Sequence, residues 1–398
     1  MKKVLLNASK DVIFSILGLL LYNGIIQLVV YPYFNNKLGA DAFGTALYIL
    51  SVVSIMGSSF GSGASYSRMV AHSERTEANG DYNRFLLQIF ILSVPVSFFT
   101  LYLQNEFSIS LFIQIFLLMI FTVMRYYLDV QFRMTIRFKE YFLYLVALTV
   151  GNVAGLFVFS ISGSWSGSVF LGELFAVIFV YFTGNMLRKP YLVVSDSYKE
   201  NMRSVWVLSV SNLVAAIILN SDRILIKSFV GAEEVTVFYT AALVGKMIAM
   251  FTSPLNGVII SYLTGYKIRL TKQKFAFASL IMFVVSIVFI IASVIVSNIF
   301  VKIMYPNVYE TAKDFFLVAN AGQVFYFLSG SLMVIVLKFT GENMQLKINI
   351  MHLIIFAILT IPGTIIFGLE GLATGLLISN LFRFVVTILI GIRHCQKS

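Results

Sequence analysis

Charged side chains are scarce in this 398-residue chain: Asp, Glu, Lys and Arg make up 12% of it, against roughly 25% in soluble domains. That excludes a water-soluble globular protein. With 59% hydrophobic residues and a mean hydropathy of +0.90, the composition is that of a polytopic membrane protein. Cysteine is nearly absent, and the single Cys395 excludes an intrachain disulfide. Also lacking are a connection of domain size, an Asp-x-Asp metal motif and a His and carboxylate cluster, so no catalytic residue and no metal ligand set is nominated. Whatever the chain does takes place within or across the bilayer.

A helix needs about 20 mostly apolar residues to cross the hydrocarbon core. Twelve such stretches are present, near 12–34, 42–66, 84–103, 108–128, 141–161, 165–186, 204–228, 235–262, 275–300, 313–337, 347–366 and 370–392. The first is too long for a signal-peptide core and reads as a retained helix. The net charge of +11 does not indicate nucleic acid, because the basic residues follow topology rather than one soluble face. If the N-terminus is cytoplasmic, the inner segments hold 22 of the 29 Lys and Arg, including Lys2, Arg68, Arg84, Arg125, Arg133, Arg137, Lys272, Lys274 and Arg393. The clearly outer loops hold only Lys37, Lys302 and Lys313. The positive-inside rule puts both termini in the cytoplasm, which an even number of crossings satisfies.

Two stretches repeat 192 positions apart: Gly39-Ala40-Asp41 and Gly231-Ala232-Glu233 each follow one apolar segment and open the next. A second echo relates SWSGSVFLGE around Gly167 to GLEGLATGLL around Gly371. The polar connection at 189–203 divides the chain into six-helix halves, 1–195 and 196–398. Halves of six start on the same side, so they read as parallel repeats related by an axis along the membrane normal. The same register sets Gly61-Ser62-Gly63 opposite Ser253-Pro254-Leu255. Glycine loosens a helix and proline removes a donor, making Gly61, Gly63 and Pro254 candidate gates. Close packing of small residues explains the glycines equally well.

A charge at the bilayer centre costs at least about 2.5–3.5 kcal/mol, so each one calls for an explanation. Lys246 and Arg383 lie about mid-span, Asp222 and Arg223 in the outer part of the seventh span, and Glu173 in the sixth. Three cations against two carboxylates leave a positive surplus suited to an anionic group. Asp222 and Arg223 are sequence neighbours and point to different sides of a helix. Glu173 reads as a buried partner of one of these cations or as a proton or sodium coupling group. Lys227 reads as a snorkelling residue, and His352 as an interface residue.

The stretch NSDRILIKSFVGAEEVTVFYTAALVGKM, 220–247, resembles the helix-seven to helix-eight junction of polysaccharide flippases in the multidrug, oligosaccharidyl-lipid and polysaccharide (MOP) exporter superfamily. The matching positions are Asp222, Arg223, Gly231 and Tyr239, and the helix count and Gly39 turn extend the resemblance over most of the chain. One departure is Thr236, the counterpart of Gly44, where such proteins often carry a second glycine. The resemblance implies an all-α, MATE-like fold of two lobes around a cavity that opens alternately to either side. It also implies export of undecaprenyl-diphosphate-linked oligosaccharide for surface polysaccharides in a bacterial cytoplasmic membrane. Arg223, Lys246 and Arg383 would then hold the diphosphate, with Glu173 and Asp222 as charge partners or coupling groups. No cofactor is expected beyond a coupling H+ or Na+, and the expected partners are the lipid-linked substrate, membrane lipids, a polysaccharide polymerase and assembly proteins. A cation-coupled multidrug exporter of the same superfamily is the alternative, although it would favour an acidic cavity. A membrane-embedded polymerase would show a long outer loop, which this chain lacks.

The orientation is checkable with the one cysteine. A membrane-impermeant maleimide should label Cys395 only once the cytoplasmic face is opened, and labelling in intact cells would reverse the assigned topology.

Overall fold

Hydrocarbon offers no hydrogen bonds, so a backbone that crosses it satisfies its own groups as helix. The computed structural model describes residues 2–248, 252, 256, 271–340 and 342–394, and the fold is all-helical. In chain order the helices are α1 Ile13–Leu38, α2 Ala40–Glu74, α3 Asn79–Tyr102, α4 Ile109–Met134, α5 Phe138–Ser162 and α6 Trp165–Thr183. There follow α7 Tyr198–Phe229, α8 Ala232–Met247, α9 Lys272–Met304, α10 Tyr309–Val336 and α11 Lys347–His394. All but α8 are long and apolar enough to span a membrane, ten among the described residues. Most of the rest of the expected eighth span, with Pro254, and Cys395 lie outside the described residues.

The run α11 contains a reversal. Gly368 adopts φ 59° and ψ −135°, a conformation that a Cβ would strain. The chain turns back there, and Gly363 and Gly371 of the two arms meet backbone to backbone. Helix starts follow ordinary capping chemistry: the Ser108 hydroxyl accepts from the Leu111 amide at 3.2 Å, and that of Ser164 from the Gly167 amide at 3.1 Å.

By packing, the chain forms two compact units, Met1–Phe34 with Ala46–Ser221, and Asn35–Thr45 with Asp222–Ser398. Each takes in residues from both sides of the 195/196 division of the sequence. The changeovers fall inside continuous helices: in α1 after Phe34, in α2 after Thr45 and in α7 after Ser221.

In the first unit the polar connection before α7 is tied down rather than loose. Asp81, only 2% exposed, accepts from the Ser195 amide at 2.8 Å, the Ser195 hydroxyl at 2.6 Å, the Asn201 amide group at 3.0 Å and the Ala78 amide at 3.2 Å. Asn79 donates to the Asn185 carbonyl at 3.2 Å and Asn83 to that of Tyr191 at 2.8 Å. The start of α3 thus holds residues 185–201 against the unit. Asp81→Ala strips the acceptor from several buried donors, each costing about 1–3 kcal/mol. It should lower the thermal unfolding midpoint of the detergent-solubilised protein by several degrees and speed proteolytic nicking within 185–195.

Candidate functional site

In the second unit Asp222 of α7 is 4% exposed and accepts a hydrogen bond from the ammonium of Lys246 on α8, which neutralises both in place. Arg223, one residue on and so about 100° further round the helix, lies over the Tyr239 ring of α8, 5.1 Å from its centroid. Although neighbours in sequence are expected on different sides of a helix, both meet α8. Lys246 is located by its own backbone: the preceding Gly245 N–H donates to Asn320 Oδ1 at 2.6 Å. Asn320 of α10 in turn donates to the Ala241 carbonyl at 3.0 Å and to the Ser297 hydroxyl of α9 at 3.2 Å.

Arg383, on the second arm of α11, does not join that ion pair. Its guanidinium lies 4.6 Å from the Tyr326 ring of α10. Beside it His352, 2% exposed, pairs with Asn380 Oδ1 at 3.0 Å, while Asn380 donates to the Gly322 carbonyl at 3.0 Å. His352 is therefore a buried hydrogen-bonded ring next to a cation. Among the described residues, neither Arg223 nor Arg383 has a carboxylate within ion-pair distance, and the Nε of each is buried without a hydrogen-bond partner. A tyrosine face stabilises a cation by about 0.5–2 kcal/mol and leaves the guanidinium's hydrogen-bonding edge uncommitted.

The two repeated turns meet within this unit. A Cβ on Gly44 would overlap the Ala232 carbonyl oxygen, and the Thr236 hydroxyl donates to the Ala40 carbonyl at 2.6 Å. Gly44 and Thr236 are counterparts in the 192-residue register, so their difference has a physical reason. One side must be bare for the backbones to touch, and the other supplies a hydroxyl that stitches the contact. Lys227, expected to snorkel, donates instead to Thr45 Oγ1 at 2.9 Å. Asn35 and Asn307 bond side chain to side chain at 2.6 Å.

In the first unit Glu173 is 4% exposed and pairs at 2.6 Å with Arg125 of α4, not with any of the three deep cations. Arg125 had been counted with the cytoplasmic charges. The reason is side-chain direction: Arg125 lies in the last turn of the helical segment Ile109–Leu128 and turns inward to Glu173 rather than out to water. Its guanidinium also lies 4.1 Å from the Tyr126 ring. The signal available in the sequence was an arginine followed by two tyrosines in an apolar run, MRYYL. A second missed group is Arg68, buried among Tyr127, Asn79 at 2.9 Å and Glu77 at 2.6 Å. At Gly61 α2 departs from regular α-geometry, whereas Gly63 lies within regular α-helix. A π-helical turn, Gly57–Gly61, precedes an α-helix that continues through Ser62–Glu74. Gly61 lies against the Val123 carbonyl and Tyr126, and Gly63 against Ser209, so both glycines serve close packing. Among the described residues no group of three or more metal-ligating side chains occurs.

Ten long apolar helices among the described residues, with charged side chains held inside both units, make this a polytopic membrane protein. No protein-family model and no curated protein matches the sequence. Among solved structures, an inward-facing multidrug resistance MATE family transporter of the MOP superfamily superposes with a TM-score of 0.65 at 12% identity, over 94% of this chain and 93% of that one. The outward-facing conformation of a transporter of that family gives 0.60 at 14% identity, over 96% and 94%. The Vibrio cholerae MATE transporter VcmN in its bent form gives 0.60 at 11% identity, over 98% and 96%. The chain therefore has the fold of MATE transporters.

If the Arg125–Glu173 pair is a structural element, breaking one half should be worse than removing both. Glu173→Leu leaves a buried unpaired arginine, at about 3–5 kcal/mol, whereas the Arg125→Met and Glu173→Leu double variant should recover most of that loss. Thermal unfolding of the three variants in detergent measures the difference.

Proposed function

We propose that the protein is a flippase that carries undecaprenyl-diphosphate-linked oligosaccharide units across the bacterial cytoplasmic membrane by alternating access, for surface polysaccharide biosynthesis. The observation that carries this reading is the pair of tyrosine-backed arginines, Arg223 and Arg383, without carboxylate partners among the described residues. Guanidinium presents a planar fork of donors that matches phosphate oxygens bidentately. Lys246, held by Asp222, sets the local charge rather than offering a free ammonium. A cargo that binds one conformation more tightly than the other shifts the balance between them by that difference in affinity. The chain acts as a transporter and needs no catalytic group.

A multidrug exporter is the competing reading, because the structural neighbours include such proteins. A site for cationic drugs, or for proton or sodium coupling, calls for a carboxylate able to exchange partners. Each buried carboxylate among the described residues has a cation or several donors on it: Glu173 has Arg125, Asp81 has four donors, and Asp222 has Lys246 on Oδ2, its Oδ1 being without a partner. This favours the anionic cargo. A polysaccharide polymerase and assembly proteins are the partners that would take up the flipped unit.

Loss of a charged hydrogen bond costs about 1.5–3 kcal/mol, on the order of tenfold or more in affinity. Arg223→Gln and Arg383→Gln should each reduce surface-glycan export about tenfold, and the double variant should accumulate lipid-linked oligosaccharide on the inner leaflet. Unchanged export at normal protein abundance would remove both arginines from the mechanism. Loss of drug resistance with intact glycan export would favour the exporter.

A further inference from the structure

An open groove of about 310 Å³ lies in the second unit between α9 and the second arm of α11. One wall is Ala276, Ser279, Leu280 and Phe283, and the other runs from Leu381 through Val385 and Leu389 to Ile392. Each wall is a helical stripe, with lining residues three or four apart. From Leu381 to Ile392 the helix rises roughly 16 Å, about half the 30 Å hydrocarbon thickness. The groove is one leaflet deep. Its side chains remain partly open, Leu280 being 58% and Leu389 60% exposed. Next to its walls Phe275 is fully buried and packs against Gly391, which joins the two helices at this end.

Two further observations distinguish it from ordinary lipid-facing surface. The stripes continue by one helical turn into cations: Lys272 precedes Ala276 by four residues, and Arg393 follows Leu389 by four. Because the two helices run in opposite directions, both cations come to the same end, which the charge distribution assigns to the cytoplasm. Lys274 lies beside them, and none of the three is ion-paired among the described residues. Inside the groove the Ser279 hydroxyl is buried, with the residue 3% exposed, and has no hydrogen-bond partner. It lies on the order of 10 Å along the helix from Lys272, the depth of an ester linkage beneath a phosphate held by a lysine side chain.

We propose that this groove is a binding site for an anionic glycerophospholipid of the cytoplasmic leaflet. Lys272 and Arg393 hold its phosphate, Ser279 donates to an ester carbonyl, and one acyl chain lies along Leu280, Phe283, Val385 and Leu389. Basic pockets between membrane helices on the cytoplasmic side hold anionic headgroups for the same electrostatic reason. The site is separate from Arg223 and Arg383, and the proposal stands whichever cargo is transported.

Native mass spectrometry of the full-length protein in detergent tests it, with dioleoyl phosphatidylglycerol, the matching phosphatidylcholine and an ether-linked phosphatidylglycerol as probes. Wild type should retain the ester phosphatidylglycerol about tenfold better than the phosphatidylcholine, and Lys272→Gln with Arg393→Gln should abolish that preference. Ser279→Ala should lower retention of the ester lipid to the level of the ether lipid. Leu280→Trp should displace both by filling the groove, whereas Ile295→Trp, on the same helix and exposed away from the groove, should not. Equal retention of both headgroups by wild type, or retention of phosphatidylglycerol by Leu280→Trp, would overturn the proposal. So would displacement of the lipid by glycerol phosphate, which lacks the chain.

Discussion

A charge carried into hydrocarbon has to find its counter-group inside the protein, and that requirement organises both units. Leaving an ion unpaired there costs more than aligning two helices to pair it. In the first unit it draws α4 and α6 together through Arg125 and Glu173, and Arg68 to Tyr127, Asn79 and Glu77. In the second it joins α7 to α8 through Asp222 and Lys246. Once these pairs are formed, the remaining deep cations stand out by contrast. Arg223 and Arg383 rest on tyrosine faces, which lower their energy without consuming their donors. The proposed anion site rests on that asymmetry in pairing, more than on the number of positive charges.

The repeat has a parallel logic. Two copies of a Gly-Ala-acidic turn that dock on one another cannot remain identical at the point of contact, since two side chains would occupy one space. Gly44 supplies the bare backbone and Thr236 the bridging hydroxyl. Neighbouring bonds, Lys227 to Thr45 and Asn35 to Asn307, reinforce the contact. The segment Asn35–Thr45 consequently packs with the second unit, although it belongs to the first half of the sequence. The helices that carry it, α1 and α2, pass from one unit to the other without a break.

Much of this was legible in the amino-acid order. Long apolar runs announced the helices, and the Gly39 and Gly231 turns announced the duplication. Asp222, Arg223, Lys246, Glu173 and Arg383 were all identified as costly charges from position alone. Their partners were not legible. Glu173 was open to pairing with any deep cation, and its actual partner, Arg125, looked like part of a cytoplasmic cluster because it lies in the last turn of a helix that ends at Leu128 and only its side-chain direction takes it inward. Nor could the sequence distinguish a glycine that breaks a helix from one that lets two helices touch. Gly61 does both, ending a π-helical turn and packing against Val123 and Tyr126, while Gly63 packs against Ser209 within regular helix.

The sequence by itself determined the class of protein, because hydropathy acts over local windows and a bilayer admits no other resolution of 59% hydrophobic residues. It also determined which residues carry an electrostatic cost, since that depends only on depth within a span. Tertiary structure alone decided which of those costs are cancelled. Pairing is settled by side chains from helices tens of residues apart, and a strong ion-pair interaction in low dielectric requires contact within a few ångströms. Lys246 thereby became a structural partner and Arg125 a buried cation, while Arg223 and Arg383 retained the donors that an anionic cargo would meet.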